Sequence, residues 1–387
     1  MKKKFIKFGE PCLSSNELLS LNKTISSKWL GAGPLTKKFE KNFSLYKNTK
    51  YSLAVNSCTS ALFLSLKIIG VKKGDEVITT PLTFCSTINS IIHTGAKPVL
   101  VDINKETLNI DHNKIIQKIT KKTKAIIPVH FAGLSCEMDK ILDISKKYKI
   151  HIIEDCAHAI ESKFKNKHVG TFGTTGCFSF YANKNITTGD GGMIITNQKK
   201  INNDGEILRF NGMSKNAWKR YTPNINTKSK IYSYDVLEAG YKSNMTDIQA
   251  AMGIEQLKKI NFFWKKRKKI FSTYQKKLKN LPIKFQNFNQ KNNKHAYHLF
   301  VIQIDSKKTK QTRNQLINFL IKNKIGFGIH YTSINDLSFY KNKFKWKKST
   351  APISYEVGRN IISLPIYPHL SNQDMNFIIK KLRIFFN

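Results

Sequence analysis

The chain has 387 residues, 40% of them apolar, which is enough for two domains or one large domain with an appendage. Its apolar runs are short, so none of about 20 residues is fit to span a bilayer. The charged start Met1-Lys2-Lys3-Lys4 is followed by Phe5-Ile6-Lys7-Phe8-Gly9-Glu10 instead of the apolar region of an export signal.

Basic residues outnumber acidic ones by 66 to 25, giving +41. A nucleic-acid binder is one reading of that charge. Against it, only six of the basic residues are Arg (Arg209, Arg220, Arg267, Arg313, Arg359, Arg383), the type suited to bidentate phosphate and base contacts. The lysines are scattered beside plentiful Asn, Ile, Phe and Tyr, as A/T-rich codons produce, and part of their field would attract an anionic substrate. The six cysteines (Cys12, Cys58, Cys85, Cys136, Cys156, Cys177) form no Cys-x-x-Cys pair. The expectation is free thiols in a reducing cytoplasm, with no metal site.

In chain order, Tyr51–Val55 reads as a strand. Leu62, Leu66 and Ile69 share a helix face over Thr59–Ile69, which Gly70 ends. Glu76–Thr80 and Lys97–Val101 are strands flanking a helix near Cys85–His93. Lys114–Ile119 reads as helical, Ala125–Val129 as a strand, Met138–Tyr148 as a helix and Ile150–Glu154 as a strand. This order predicts an α/β fold, a mostly parallel sheet covered by helices. Cys177–Tyr181 and Gly192–Thr196 are strands without a helix between them, read as a hairpin-like addition beside the parallel core. Residues 212–243 read as a long polar loop, followed by helices over Met245–Ile260 and about 262–280. A strand (Tyr297–Ile304), a helix (Thr312–Asn323) and a final amphipathic helix (Asn372–Phe385) predict an α+β second domain.

In open α/β sheets, ligands bind beyond the carboxyl ends of the strands. After the first strand, Asn56-Ser57-Cys58-Thr59-Ser60 places hydroxyls and free amides at a helix start, either an anion site or a plain Ser/Thr cap. Asp155 follows an apolar strand, where a carboxylate needs a cationic or donor partner or acts as a helix cap. Lys184 follows Cys177–Tyr181 among small, neutral neighbours and before Gly189-Asp190-Gly191-Gly192. It is either one more surface lysine or a desolvated nucleophile. One cofactor requires all three features: pyridoxal 5′-phosphate has a phosphate for the helix start, a pyridinium nitrogen for Asp155 and an aldehyde for Lys184. Phe84, after the second strand, is at the level of an aromatic that covers the ring, or else is a core phenylalanine.

These residues carry a resemblance. Asn56–Leu62, Gly74–Phe84, Glu154–Ala159, Phe178–Asn185 and Gly240–Asp247, five motifs in order, resemble the DegT/DnrJ family of pyridoxal-phosphate-dependent sugar-nucleotide aminotransferases, nearly end to end. The resemblance implies a fold-type I large domain with a mostly parallel seven-stranded sheet over residues 1–255, and a smaller C-terminal domain over 256–387. It implies that Lys184 condenses with the aldehyde and moves the proton, and that Asp155 pairs with the pyridinium. His158 would hydrogen-bond the ring oxygen, and Phe84 would stack on the ring. Cys58, Thr59 and Ser179 would bind the phosphate, with Asn244 reaching it across the interface of a homodimer with shared sites. His330, Arg220 and Gly31 resemble residues near the sugar nucleotide.

The implied reaction transfers an amino group from L-glutamate, released as 2-oxoglutarate, to a nucleotide-linked keto sugar for surface polysaccharide or lipopolysaccharide. Local matches such as Thr80–Thr87 most resemble enzymes acting on UDP-linked 4-keto sugars. The alternatives are a pyridoxal-bound sugar dehydratase and a non-catalytic regulatory relative. Dehydratase relatives carry histidine where this chain has Lys184.

Overall fold

The structure is a computed structural model that describes residues 5–214, 234–288 and 293–387. Seven strands form the main sheet: β1 (Tyr51–Val55), β2 (Glu76–Thr79), β3 (Lys97–Leu100), β4 (Thr123–Ile127), β5 (His151–Asp155), β8 (Thr175–Ser179) and β9 (Gly192–Thr196). Between them lies a small ribbon of β6 (Lys163–Phe164) and β7 (Lys167–His168). The sheet order is β1-β9-β8-β5-β4-β2-β3. β8 pairs parallel with β5, while β9 runs antiparallel to both β8 and β1. The two strands read as an addition beside the core are therefore inside the sheet. Without β9, the ladder of β1 would have no partner on that side.

Alternation along the strands sends side chains to two apolar layers. Leu53, Val55, Ile153, Cys177 and Ile194 face α3 (Cys58–Ile68) and α6 (Lys199–Leu208). Ala54, Phe178, Met193 and Ile195 face α2 (Pro34–Lys47) and α7 (Asp247–Lys258). Further along that second face, Ile78, Ile126 and Ile152 meet α5 (Met138–Tyr148). Helices α1 (Ser15–Ser26) and α4 (Cys85–His93) complete this region. Both faces are covered, as a parallel sheet requires.

The second unit has a three-stranded antiparallel sheet of β10 (Ile283–Phe285), β11 (Phe300–Ile304) and β12 (Ile361–Leu364). It packs with α8 (Ile260–Leu278), α9 (Arg313–Lys322) and α12 (Asn372–Phe386), beside the shorter α10 (Ser338–Phe344) and α11 (Pro352–Asn360). Ile6 joins this second core through backbone bonds to Lys324 and Gly326.

Two local readings change. Lys114–Ile119 forms two 3₁₀ turns, His112–Lys114 and Ile116–Lys118, because Ile115 is the buried apolar anchor there and a single anchor makes no helical stripe. The strand expected from Tyr297 begins at Phe300. The amides of Ala296 and Leu299 are used on Gly133 and Ala132 of the large domain, at 2.9 and 3.3 Å. Among the described residues, no helix is long and apolar enough to cross a membrane.

Candidate active site

The ends of β1, β5, β8 and β9 meet at one cleft. At its floor, Ser57 caps α3, its Oγ accepting from the Ser60 amide at 3.1 Å. The amides of Cys58 and Thr59 open the helix and have no intrahelical acceptor, so they are open to an anion with the helix dipole behind them. Gly192, which pairs with Val55 and with Ser179, lies against this turn. A Cβ on Gly192 would come within 2.5 Å of the Ser57 carbonyl and 2.7 Å of the Cys58 nitrogen. The helix start is thus seated by a contact that only glycine permits. Gly192→Ala is expected to cost about 1–3 kcal/mol of stability and to weaken cofactor binding about tenfold, roughly 1.4 kcal/mol. Thermal unfolding and equilibrium titration with the cofactor measure the two effects.

Asp155 ends β5, buried. Its Oδ2 accepts from Thr87 Oγ1 at 2.9 Å, and Thr87 shares a 2.8 Å hydrogen bond with Thr83. Its Oδ1 accepts from the Ala157 amide at 3.1 Å. Burial raises its pKa, with these two bonds and the Lys184 charge pulling the other way. No cation lies within ion-pair distance among the described residues. A desolvated carboxylate with only neutral donors fits a protonated ring nitrogen.

Glu154, one residue earlier, points to the opposite face, as strand alternation demands. It accepts from the amides of Gly170, Phe172 and Gly173 at 2.7, 2.7 and 2.8 Å, and contacts His130 Nε2 at 3.1 Å. Together with Cys156 it makes a tight His/Glu/Cys cluster. That cluster is closed to a metal: the Cys136 amide occupies His130 Nδ1 at 3.0 Å, which leaves the proton on Nε2, and both Glu154 oxygens are spent.

Lys184 sits just past β8, its amide bonded to the Tyr181 carbonyl at 2.9 Å. Its surface is only partly buried. Its ammonium is nevertheless desolvated, which lowers the pKa to about 8 against the opposing pull of Cys58 and Asp155. The three groups therefore lie within electrostatic reach of one another. Burial holds the Cys58 thiol well above its usual range, so it stays protonated.

His158 is buried, and burial together with the Lys184 charge holds it neutral. Its Nδ1 accepts from the Ala132 amide at 3.3 Å, so Nε2 carries the proton and donates to Tyr331 Oη at 2.9 Å. Phe84 is 57% exposed and lies 6.0 Å from the Tyr331 ring. It is therefore a wall of the cleft and not a core phenylalanine. Ser179, the last residue of β8, is half-buried with its hydroxyl 3.4 Å from the Tyr181 amide.

His330 packs on Phe8 at 5.3 Å and meets Ser363 Oγ through Nδ1 at 3.0 Å. Burial, then the charge of Lys184, lowers its pKa to about 4. Asn244 is bridged to Val55, next to the turn that opens α3, and its Oδ1 has no partner among the described residues. Gly31 is exposed, its carbonyl accepting from the Asp247 amide at 3.0 Å. The Asp247 carboxylate in turn caps α2 through the amides of Gly33, Leu35 and Thr36, which anchors the loop before that helix. Arg220 lies outside the described residues.

Lys184, Asp155, Cys58, Thr59, His158 and Phe84 thus converge. Reasoning from the sequence missed Tyr331 and Thr87 as site residues, although Thr87 ends the Thr80–Thr87 match and Tyr331 follows His330. Tyr331 offered a signal, an aromatic next to His330. Thr87 had none beyond its i+4 spacing from Thr83.

The comparisons with known proteins agree with this geometry. Residues 11–383 match the model of the DegT/DnrJ/EryC1/StrS aminotransferase family. The spore coat polysaccharide biosynthesis protein SpsC of Bacillus subtilis is 40% identical over 380 residues, covering 98% of this chain and 96% of SpsC. Spr1654 from Streptococcus pneumoniae, solved in PMP and PLP forms, superposes with TM-scores of 0.90 and 0.89 at 30% identity. In the PMP form, 98% of each chain is covered. Helicobacter pylori PseC, an aminotransferase involved in the biosynthesis of pseudoaminic acid, gives 0.88 at 29% identity and 99% of each chain. A depressed lysine, a cation-free buried carboxylate and an open helix start are what pyridoxal 5′-phosphate asks of its protein, and this chain belongs to the DegT/DnrJ/EryC1/StrS family as a pyridoxal-phosphate-dependent sugar aminotransferase.

Proposed function

We propose that the enzyme transfers the amino group of L-glutamate to a nucleotide-linked keto sugar, a UDP-linked 4-keto sugar in particular. The product is a nucleotide amino sugar for surface polysaccharide or lipopolysaccharide. The observation that carries this reading is the amine of Lys184, held at a pKa of about 8 within reach of the cation-free carboxylate of Asp155. SpsC, a spore coat polysaccharide biosynthesis protein, and PseC support the polysaccharide and sugar side.

When bound, pyridoxal phosphate supplies the aldehyde and the electron sink that carry an amino group between two half-reactions. The residues of this chain do the rest. Asp155 holds negative charge against the ring nitrogen. His158, whose Nε2–H is taken by the Tyr331 hydroxyl here, would turn that proton to the ring oxygen, and Phe84 would cover the ring. The amides of Cys58 and Thr59 with the hydroxyl of Ser179 would bind the phosphate, and Asn244, which lies beside Val55 of its own chain, would add a contact either there or across the interface of a homodimer. With the cofactor bound, the Lys184 amine would serve as the group that takes up and gives back the transferred proton, acting as general base in one direction and general acid in the other. His330, Gly31 and Arg220 would serve the binding of the sugar nucleotide, and the enzyme works in the cytoplasm. A lysine at position 184 supports amination over dehydration.

The test is a panel of 3-keto and 4-keto sugar nucleotides on UDP and other bases, each incubated with glutamate and read by mass. A UDP-4-keto sugar converted to its primary amine, with equimolar 2-oxoglutarate, is the expected result. Turnover of 3-keto sugars alone, or no half-reaction with glutamate, rejects the reading.

A further inference from the structure

Asn185, the residue after Lys184, is buried, and its side chain is fully committed. Its Nδ2 donates to Glu161 Oε2 at 2.8 Å and to the Ala296 carbonyl at 2.9 Å. Its Oδ1 faces His298 Nδ1 at 2.9 Å. A backbone carbonyl only accepts, which settles the orientation of the amide and makes His298 the donor at Nδ1. The His298 ring lies 4.5 Å from the His158 ring, tilted by 37°. His158 continues the line to Tyr331. The chain of contacts crosses the domain junction, because Glu161 and Asn185 come from the large sheet's loops while Ala296 and His298 precede β11.

We propose that Glu161, Asn185 and His298 are positioning residues, a buried relay that holds the backbone next to Lys184 and the ring of His158 in place when the segment before β11 is seated. The relay rests on the reading of Lys184 and His158 given above and extends it to three residues that touch neither cofactor nor substrate.

Glu161 is fully buried, and its Oε1 has no partner among the described residues. Burial pushes its carboxyl up to about 7 against the pull of Asn185, Arg267 and Lys294. Tyr46 and Lys47 also feel its charge. Glu161 serves the relay as an acceptor at Oε2, a role that glutamine reproduces at the same length. His298 stays neutral, since burial and the charges of His158, Lys184, Arg267 and His330 all oppose its protonation.

The test uses the full chain without cofactor, then the holoenzyme. In the cofactor-free protein, the pH midpoint of acetic anhydride labelling at Lys184, read by peptide mass, is expected near 8. In Asn185→Ala, Glu161→Ala and His298→Phe it rises by about one pH unit as water reaches a loosened amine. Glu161→Gln keeps the unmodified midpoint. The pH titration of the holoenzyme's visible band moves in the same three variants and not in Glu161→Gln. If the three variants lose only thermal stability and keep the midpoint, the network is plain packing and the proposal is overturned. A Glu161→Gln shift as large as that of Glu161→Ala overturns it too. An ordinary lysine midpoint in the unmodified protein sinks the reading of Lys184 itself, and the relay with it.

Discussion

Lys184→Ala is expected to abolish covalent capture of pyridoxal phosphate and to lower turnover by at least about 10³-fold, since it removes nucleophile, base and acid together. The fold survives, because the change deletes a desolvated amine and leaves the strand pairing of β8 intact. The measurement is threefold: turnover, the visible band, and peptide mass after borohydride reduction. In the unmodified protein the label falls on Lys184. A label on another lysine rejects the assignment. The pH dependence follows from the sign of the shift. Only the neutral amine attacks, and desolvation lowers the Lys184 pKa from 10.5 to about 8. Capture of the cofactor by the apoprotein therefore accelerates with rising pH and levels off above about pH 8, well below where an ordinary lysine would do so.

Asp155→Asn is expected to have the second largest effect. Asparagine preserves the size of the side chain and still bonds to Thr87 and Ala157, so the local structure is kept while the charge goes. If the ring nitrogen loses about two pKa units of proton affinity, the electron sink weakens by about 2.7 kcal/mol, roughly 100-fold in rate. Because Asp155 is buried without a cation, the same change should leave the cofactor-free protein as stable as before, or more so. Rapid-mixing measurement of the glutamate half-reaction, with thermal unfolding of the apoprotein, separates the two claims. An unimpaired half-reaction contradicts the pairing of Asp155 with the ring.

Position explains which parts of the site were legible. Asp155 closes an apolar strand, Lys184 follows another within a few residues, and Cys58-Thr59 open a capped helix. The sheet's chemistry collects at those places, so local pattern marked them as candidates, and the family motifs gave them their expected roles. Strand alternation also separates Asp155 from Glu154: two adjacent acids, one aimed at the cleft and one locked by three backbone amides. Glu161, Asn185, His298, Thr87 and Tyr331 carry no such local mark. Asn185 and His298 lie 113 residues apart, and Tyr331 lies 173 from His158. Their roles exist only as pairings.

The amino-acid sequence by itself determined the α/β class through apolar periodicity and caps, which act over a few residues, and, through its resemblance to the family, the expectation of pyridoxal phosphate at the carboxyl ends of the strands. Only the tertiary structure decided that β9 lies inside the sheet, that Phe84 lines the cleft and that the second domain reaches Lys184 through Asn185. Those outcomes depend on which distant groups satisfy each other's ladders, desolvation and hydrogen bonds, a balance that no local window contains.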